Sequence, residues 1–178
     1  GFLAEQIVDY VGNGSRYGLR IVYSNDGGKL LGTGGALKNA VTFLDDDFFI
    51  LYGDSFLPIE FKPIYTKFKL NKIPALMTIL ENNNQWDKSN VIFDGIQINL
   101  YDKKNYSDQM NYIDYGLSIC KKDIFIKTTY DIFDLAEIFT LLSKENHLEF
   151  YKVNQRFYEI GSQQGIEDFS KFALKEFI

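Results

Sequence analysis

Hydrophobic positions change their period several times along the chain, and the changes divide it into elements. In the opening GFLAEQIVDYVGNG, Leu3, Ile7, Tyr10 and Val11 recur at helical spacing, and Gly12 and Gly14 end the pattern. LRIVYS (19–24) is a short β-rich run. After a glycine-rich turn, Ala36, Leu37, Ala40, Val41 and Leu44 fall on one helical face. Residues 48–52 are continuously apolar, which predicts a strand buried on both sides. Phe61, Ile64, Tyr65 and Phe68 predict a helix over 60–70, and PALMTIL (74–80) a further buried strand. Helix and strand thus alternate, which argues for a parallel sheet with helices on its faces.

The second half reads differently. Asp94 and Gly95 form a hairpin signal between two β-rich runs, and YIDYGLSIC predicts another strand. A helix starts near Asp134, with that carboxylate as cap and Glu137 completing a capping box. LEFYKV and RFYEIGS look like strands paired with each other. From Gly165 a closing helix turns Ile166, Phe169 and Ala173 inward. No repeat or Pro/Gly/Ser linker interrupts the 178 residues, so one α/β domain is expected over 1–178. The chain opens inside an amphipathic helix without Met. That leads us to expect a domain incomplete at its N-terminus; a processed terminus or a tag scar is the other explanation.

Composition narrows the partners. A net charge of −5 argues against nucleic acid, which requires clustered Lys and Arg. No apolar run approaches a membrane span, so no membrane partner is expected. The single Cys120 cannot form an internal disulfide, fits a reducing, cytoplasmic compartment, and reads as a buried strand residue. Nothing in the sequence fixes the oligomeric state, and a homo-oligomer stays open.

Four places could carry chemistry. Asp54, in LYGDS, follows a strand and a glycine, where open parallel sheets collect ligands. It is either a hard oxygen ligand for Mg²⁺ or a turn-forming residue. Glu159, in FYEIGS, is a carboxylate among apolar neighbours and needs a partner, either a metal ion or an ordinary salt bridge. LLGTGGALKNA (30–40) is either a tight loop or a cradle whose glycines and helix-start amides receive a ligand. It lacks the ending of a P-loop. Lys88, Lys103 and Lys104 could each offer a point charge to a phosphate, or simply be solvated, as could Lys38. His147, near a helix end, reads as a surface or capping residue.

The order LGTGGALKNA, YGDS, WDKSNV, YIDYGLS and FYEIGSQQGIEDF resembles the sugar-1-phosphate nucleotidyltransferases, the pyrophosphorylase-type enzymes that make nucleotide-sugars. The resemblance covers essentially the whole chain, and the WDKSNV and FYEIGS variants are similar to those of bacterial mannose- or heptose-1-phosphate guanylyltransferases. It implies a Rossmann-like, mixed but mainly parallel sheet flanked by helices. It implies an NTP and a sugar-1-phosphate as substrates and Mg²⁺ as cofactor. Residue by residue, Gly32, Thr33, Gly34, Gly35 and Ala36 would contact the nucleotide. Asp54 and Glu159 would hold the metal, with Asp54 also catalytic. Lys103, in YDKKN, would meet the sugar phosphate as a second catalytic group. Asn90, Asp102, Tyr115 and Gly116 would line the sugar pocket. Glu159 stands where the family more often has Asp, and WDKSNV replaces a usual R-Y-G-V.

The family's G-G-x-G-T-R-L loop and its P-K-P lysine, which hold the triphosphate, have no counterpart in these residues. The resemblance therefore also leaves room for a non-catalytic nucleotide-sugar-binding or regulatory subunit, or for an assembly role.

Overall fold

The computed structural model describes residues 3–177; Gly1 and Phe2, which open the first helical segment of the sequence, lie outside it, as does Ile178. In chain order the elements begin with helices α1 (Ala4–Val11) and α2 (Gly32–Ala40), then strands β1 (Asp47–Leu51) and β2 (Ser55–Phe56). Helix α3 (Phe61–Leu70) and strands β3 (Ala75–Glu81), β4 (Val91–Phe93), β5 (Ile98–Tyr101) and β6 (Tyr112–Lys121) follow. The chain continues through α4 (Asp123–Lys127), α5 (Leu135–Lys144), β7 (Leu148–Val153), β8 (Tyr158–Glu159) and α6 (Gln163–Phe177). These form two compact units. One comprises the chain up to Asp46 together with Lys122–Ile138; the other comprises Asp47–Lys121 and the chain from Phe139 onward.

In the first unit α1 forms where its periodicity predicts, but Ile7, Val8 and Tyr10 on it, and Leu3 just before it, are exposed. The β-rich run 19–24 is not a strand. Its Leu19 and Ile21 amides donate to the carbonyls of Gly14 and Asn13, and Leu19 and Val22 are exposed. A strand exists only with a ladder partner, and among the described residues nothing pairs with this run. At the start of α5, the Asp134 carboxylate accepts the Ala136 amide at 2.8 Å, the capping bond its position predicts.

The second unit carries the sheet. Its strand order is β5-β4-β6-β3-β7, with β1 joined to β6 as well. Among the described residues only β3 and β7 are parallel neighbours; β6 runs against β1, β3 and β4, and β5 runs against β4. Thus β1, β3, β4 and β7 share one direction, and the reversed β6 lies among them. That gives the mixed sheet the resemblance implies, while most ladders are antiparallel. The predicted pairing of the last two β runs is corrected: β7 joins β3, and β8 pairs with β2 in a separate two-stranded sheet.

Burial follows from this order. β3 and β6 are buried almost throughout, including Cys120, whose thiol pKa burial raises. In β1 only Phe48 is buried, while Phe49 and Leu51 are exposed. The expectation of a two-sided buried strand fails there because, among the described residues, β1 is laddered on one side only. Ile64 and Phe68 of α3 pack on Leu76, Leu117 and Ile119. Leu80, Ile113, Tyr115 and Val153 form a neighbouring cluster, and Leu57 and Ile59 pack against both. On α6 no residue is fully buried: Phe169 and Phe172 pack with Phe56 and Tyr158, while Ile166 points outward, contrary to its expected place.

Candidate active site

The site begins with a gap in the sheet. Along one edge of β6, Tyr112 pairs with Val91 of β4, and residues 117–121 pair with β1. Opposite β3 the register shifts: Met77 faces Ser118 but Ile79 faces Asp114, so β6 bulges over 114–118. Gly116 sits in the bulge at φ +94°, a backbone conformation that glycine adopts without a steric penalty. The free edge is satisfied locally. The Asp114 amide donates to Asn90 Oδ1 at 2.9 Å, and the Gly116 amide to Asp114 Oδ1 at 3.0 Å. An open cleft of about 400 Å³ lies against this gap, walled by Tyr52, Asp54, Ser55, Lys88, Asn90, Asp102, Lys103, Asp114, Tyr115, Gly116, Phe157 and Glu159, among others.

Asp54, in the turn just before β2, and Glu159, on β8, come to this cleft side by side because β2 pairs with β8. Glu159 is the register partner of Ser55, and the Ile160 amide donates to the Asp54 carbonyl at 2.7 Å. Glu159 Oε1 accepts the Gly161 amide at 2.5 Å, and Oε2 accepts the Ser162 hydroxyl at 3.3 Å. Among the described residues no cluster of three or more His, Cys, Asp or Glu could hold a metal unaided. Two hard carboxylate donors nevertheless fit Mg²⁺, which is commonly held by one or two carboxylates together with substrate phosphates and water.

The opposite wall is built on Asn90. Its carbonyl accepts the Asp102 amide at 3.0 Å while its side chain holds Asp114. Asp102 is largely committed to its own turn, accepting the Lys104 and Asn105 amides and the Asn105 side chain. Those bonds, the Asn105 side chain foremost, hold its pKa below the ordinary value. Lys103 Nζ lies 3.9 Å from Asp114 Oδ2 and 5.0 Å from the centre of the Tyr52 ring. The Asp114 side chain is only 3% exposed. Burial pushes its pKa up, opposed by Lys103, the Gly116 amide and the Tyr101 hydroxyl. Lys88 stands over the Tyr106 ring at 4.6 Å. His147 lies on the surface beside Glu145.

The glycine-rich segment belongs to the first unit, and its structural reason is internal. The Gly34 and Gly35 amides both donate to the Phe133 carbonyl, at 3.1 and 3.2 Å. A Cβ at Gly34 would collide with the Phe133 ring, and one at Gly35 with the Asp131 carbonyl. Gly32 has φ +72° and also abuts the Phe133 carbonyl. Thr33 Oγ accepts the Leu135 amide and donates to Asp134. Residues 131–135 of the same chain lie close against these glycines. Lys38 is bound to Asp131 and the Tyr130 carbonyl rather than simply solvated.

Sequence reasoning missed Asp114, Tyr52, Ser55 and Phe157 as cleft residues. The available signal for Asp114 was a lone carboxylate inside the apolar run YIDYGLSIC.

No family model matches the sequence. Over 90 residues the chain is 36% identical to a UTP–glucose-1-phosphate uridylyltransferase of Synechocystis sp.. That stretch covers 44% of this chain and 22% of that relative, so less than a quarter of the relative's length is matched. Among solved structures, a Bacillus anthracis protein described as a glucose-1-phosphate thymidylyltransferase, in complex with a sucrose, is similar over 95% of this chain and 71% of its own, with a TM-score of 0.82 and 17% identity. HddC from Yersinia pseudotuberculosis is similar over 96% of this chain and 75% of its own, with a TM-score of 0.72 and 18% identity. The inositol-1-phosphate CTP transferase from T. maritima is similar over 99% of this chain and 73% of its own, with a TM-score of 0.70 and 18% identity. The chain therefore has the mixed α/β fold of the nucleotide-diphospho-sugar transferases.

Proposed function

We propose that the protein transfers a nucleotidyl group from an NTP to a sugar-1-phosphate, giving a nucleotide-sugar and pyrophosphate. The observation that supports this most directly is the make-up of the cleft. Two carboxylates brought together by the β2–β8 pairing and a lysine backed by a buried carboxylate line one cavity, in a fold shared with proteins described as nucleotidyltransferases.

In the reaction an oxygen of the sugar phosphate attacks the α-phosphorus of the NTP. A new P–O bond forms, the bond from the α-phosphorus to the bridging oxygen breaks, and pyrophosphate leaves with that electron pair. Little covalent work falls to the protein, and positioning with charge neutralisation carries the catalysis. Asp54 and Glu159 would hold Mg²⁺, which when bound offsets the charge on the phosphates. Lys103 binds the sugar phosphate through its ammonium. Asn90, Asp102, Tyr115 and Gly116 shape the sugar pocket, with Asn90 acting chiefly by holding Asp114 and the Asp102 turn. On the sequence resemblance, Gly32, Thr33, Gly34, Gly35 and Ala36 contact the nucleotide, and residues 1–178 belong to one nucleotidyltransferase-type domain in the cytoplasm of a bacterium.

Guanylyl transfer is the reading tested first. It is supported by the WDKSNV and FYEIGS variants and by the likeness to HddC, which has also been solved complexed with GMP-PN. The proteins named for thymidylyl, CTP and UTP chemistry set the rest of the screen. The test is pyrophosphate release by the full-length protein with each NTP, a panel of sugar-1-phosphates and Mg²⁺. Metal-dependent release with at least one pair is expected. Release with none, from a protein that also binds no NTP, overturns the proposal; nucleotide-sugar binding without release favours the non-catalytic subunit.

A further inference from the structure

We propose that Asp114 is the positioning residue of Lys103: it holds the lysine ammonium at the wall of the cleft, where that ammonium meets the phosphate of the sugar-1-phosphate. The inference rests on the transfer reaction proposed above and assigns a role that sequence reasoning did not.

Asp114 differs from the other carboxylates of the cleft. Asp54 and Asp87 are exposed and Asp102 and Glu159 half-buried, whereas Asp114 is buried. Burying a carboxylate is costly unless it is hydrogen-bonded and paired. Asp114 has one good hydrogen bond, from the Gly116 amide at 3.0 Å, and a long one from the Tyr101 hydroxyl at 3.5 Å. Its ionic partner is Lys103, at 3.9 Å.

The backbones of the pair are tied together. Asn90 accepts the Asp114 amide through Oδ1 and, through its carbonyl, the amide of Asp102, the residue before Lys103, so one residue ties the two chain segments together. Tyr52 presents its ring to Lys103 at 5.0 Å. The ammonium is thus confined between a fixed carboxylate and an aromatic face. At 3.9 Å the pair is looser than a charge-assisted hydrogen bond, and the Lys103 side chain is 42% exposed. Its N–H groups remain free to turn to an incoming anion. A free lysine side chain carries substantial rotamer entropy. Ordering it before the substrate arrives lowers the cost of binding.

The test uses the full-length protein as wild type, Asp114→Asn, Lys103→Met and the double variant. Glucose-1-phosphate is titrated by calorimetry, the KM for the preferred NTP is measured in turnover, and each variant is melted. Asp114→Asn is expected to weaken glucose-1-phosphate about 5–10-fold, the worth of one immobilised side chain. It should leave the NTP KM within about 2-fold and add little in the Lys103→Met background. If Asp114→Asn does not fold, Asp114→Glu replaces it, with the same weakening expected because the carboxylate is displaced. Binding that is unchanged or tighter, which repulsion between Asp114 and the phosphate would produce, overturns the inference, as does full additivity with Lys103→Met. If wild type neither binds nor turns over any sugar-1-phosphate, the proposed reaction fails and the role for Asp114 falls with it. Coupling between positions 103 and 114 in the melting temperatures would then show the ion pair alone.

Discussion

The carboxylates of Asp54 and Glu159 converge on Gly161. A Cβ there would lie 3.4 Å from Asp54 Oδ2 and would collide with Glu159 Oε1. The two residues are 105 positions apart in sequence, yet the strand that starts just after Asp54 pairs with that of Glu159, with Ser55 opposite Glu159 and the Ile160 amide on the Asp54 carbonyl. If they share a metal ion, neither should substitute for the other. Asp54→Asn and Glu159→Gln are each expected to lower kcat on the order of 100-fold, the scale for losing one preorganised electrostatic contact at a transition state. Gly161→Ala should act in the same direction by displacing Glu159, with little change in melting temperature because Gly161 is exposed. Calorimetric titration with Mg²⁺ and Mn²⁺ checks the cause: both carboxylate variants should lose metal binding while remaining folded.

Gly34 and Gly35 make the opposite kind of prediction. Both are buried, and the space a side chain would need is filled by Phe133 and Asp131. Overpacking of this kind costs about 1–3 kcal/mol, more where backbone must move. Gly35→Val is therefore expected to lower the denaturation midpoint markedly, and Gly34→Ala to do so less, because a ring can shift more easily than a carbonyl. Urea unfolding measures both. A Gly35→Val protein as stable as wild type would mean that residues 131–135 do not pack on the helix as described.

What the sequence revealed follows a physical divide. Local signals were legible: the Asp94 carboxylate does accept the Ile96 and Gln97 amides in the hairpin turn, Asp134 does cap α5, and α3 and β3 form where the period places them. Pairing was not legible. Residues 19–24 have the composition of a strand but no ladder partner among the described residues, and β7 and β8 each chose a partner distant in sequence. The candidate site divides the same way. Asp54, Glu159 and Lys103 stood out by residue type and flanking motif. Asp114 did not, because its place in the cleft depends on a bulge that only the β3–β6 register reveals.

Acid should act on the protein in two opposed ways. Asp94 has its pKa held below 3.8 by the Gln97 and Ile96 amides and the Asn99 side chain. A depressed carboxylate contributes stability that is complete above its unfolded value and is lost as pH falls through its folded value. Asp114 is the reverse: burial raises its pKa above 3.8. It binds its proton more tightly folded than unfolded, so between 3.8 and its raised value the folded state gains stability as pH falls. Asp114→Asn removes that gain. The stability of Asp114→Asn relative to wild type should rise with pH across that window and level off above it. Asp94→Asn should be at its full disadvantage to wild type above 3.8, and that disadvantage should shrink as pH falls below 3.8. Chemical denaturation from pH 3 to pH 7 reads both slopes, and a flat difference for Asp114→Asn would contradict the burial argument.

Gly116 joins the backbone of β6 to the chemistry of the cleft. Its φ of +94° lets the strand bulge between the segments that face β4 and β1, and its amide is a donor to the Asp114 carboxylate. Space is not the constraint, since a Cβ would stand 3.5 Å from Tyr52 and 3.7 Å from the Ser55 hydroxyl, ordinary contact distances. The constraint is conformational, and an L-residue held at positive φ costs on the order of 1–3 kcal/mol. Gly116→Ala therefore has two ways to respond. It can keep the bulge and lose stability, with the cleft intact. Or it can relax towards a regular strand, withdrawing the amide from Asp114 and moving Tyr115. The surrounding strand is buried on both faces and laddered on both sides of the bulge, which favours the first course. The expected result is a lower denaturation midpoint with the KM for sugar-1-phosphate changed less than about 3-fold, well below the change predicted for Asp114→Asn. A variant with wild-type stability and a large rise in that KM would show instead that the bulge yields, and that the cleft depends on Gly116 for its shape.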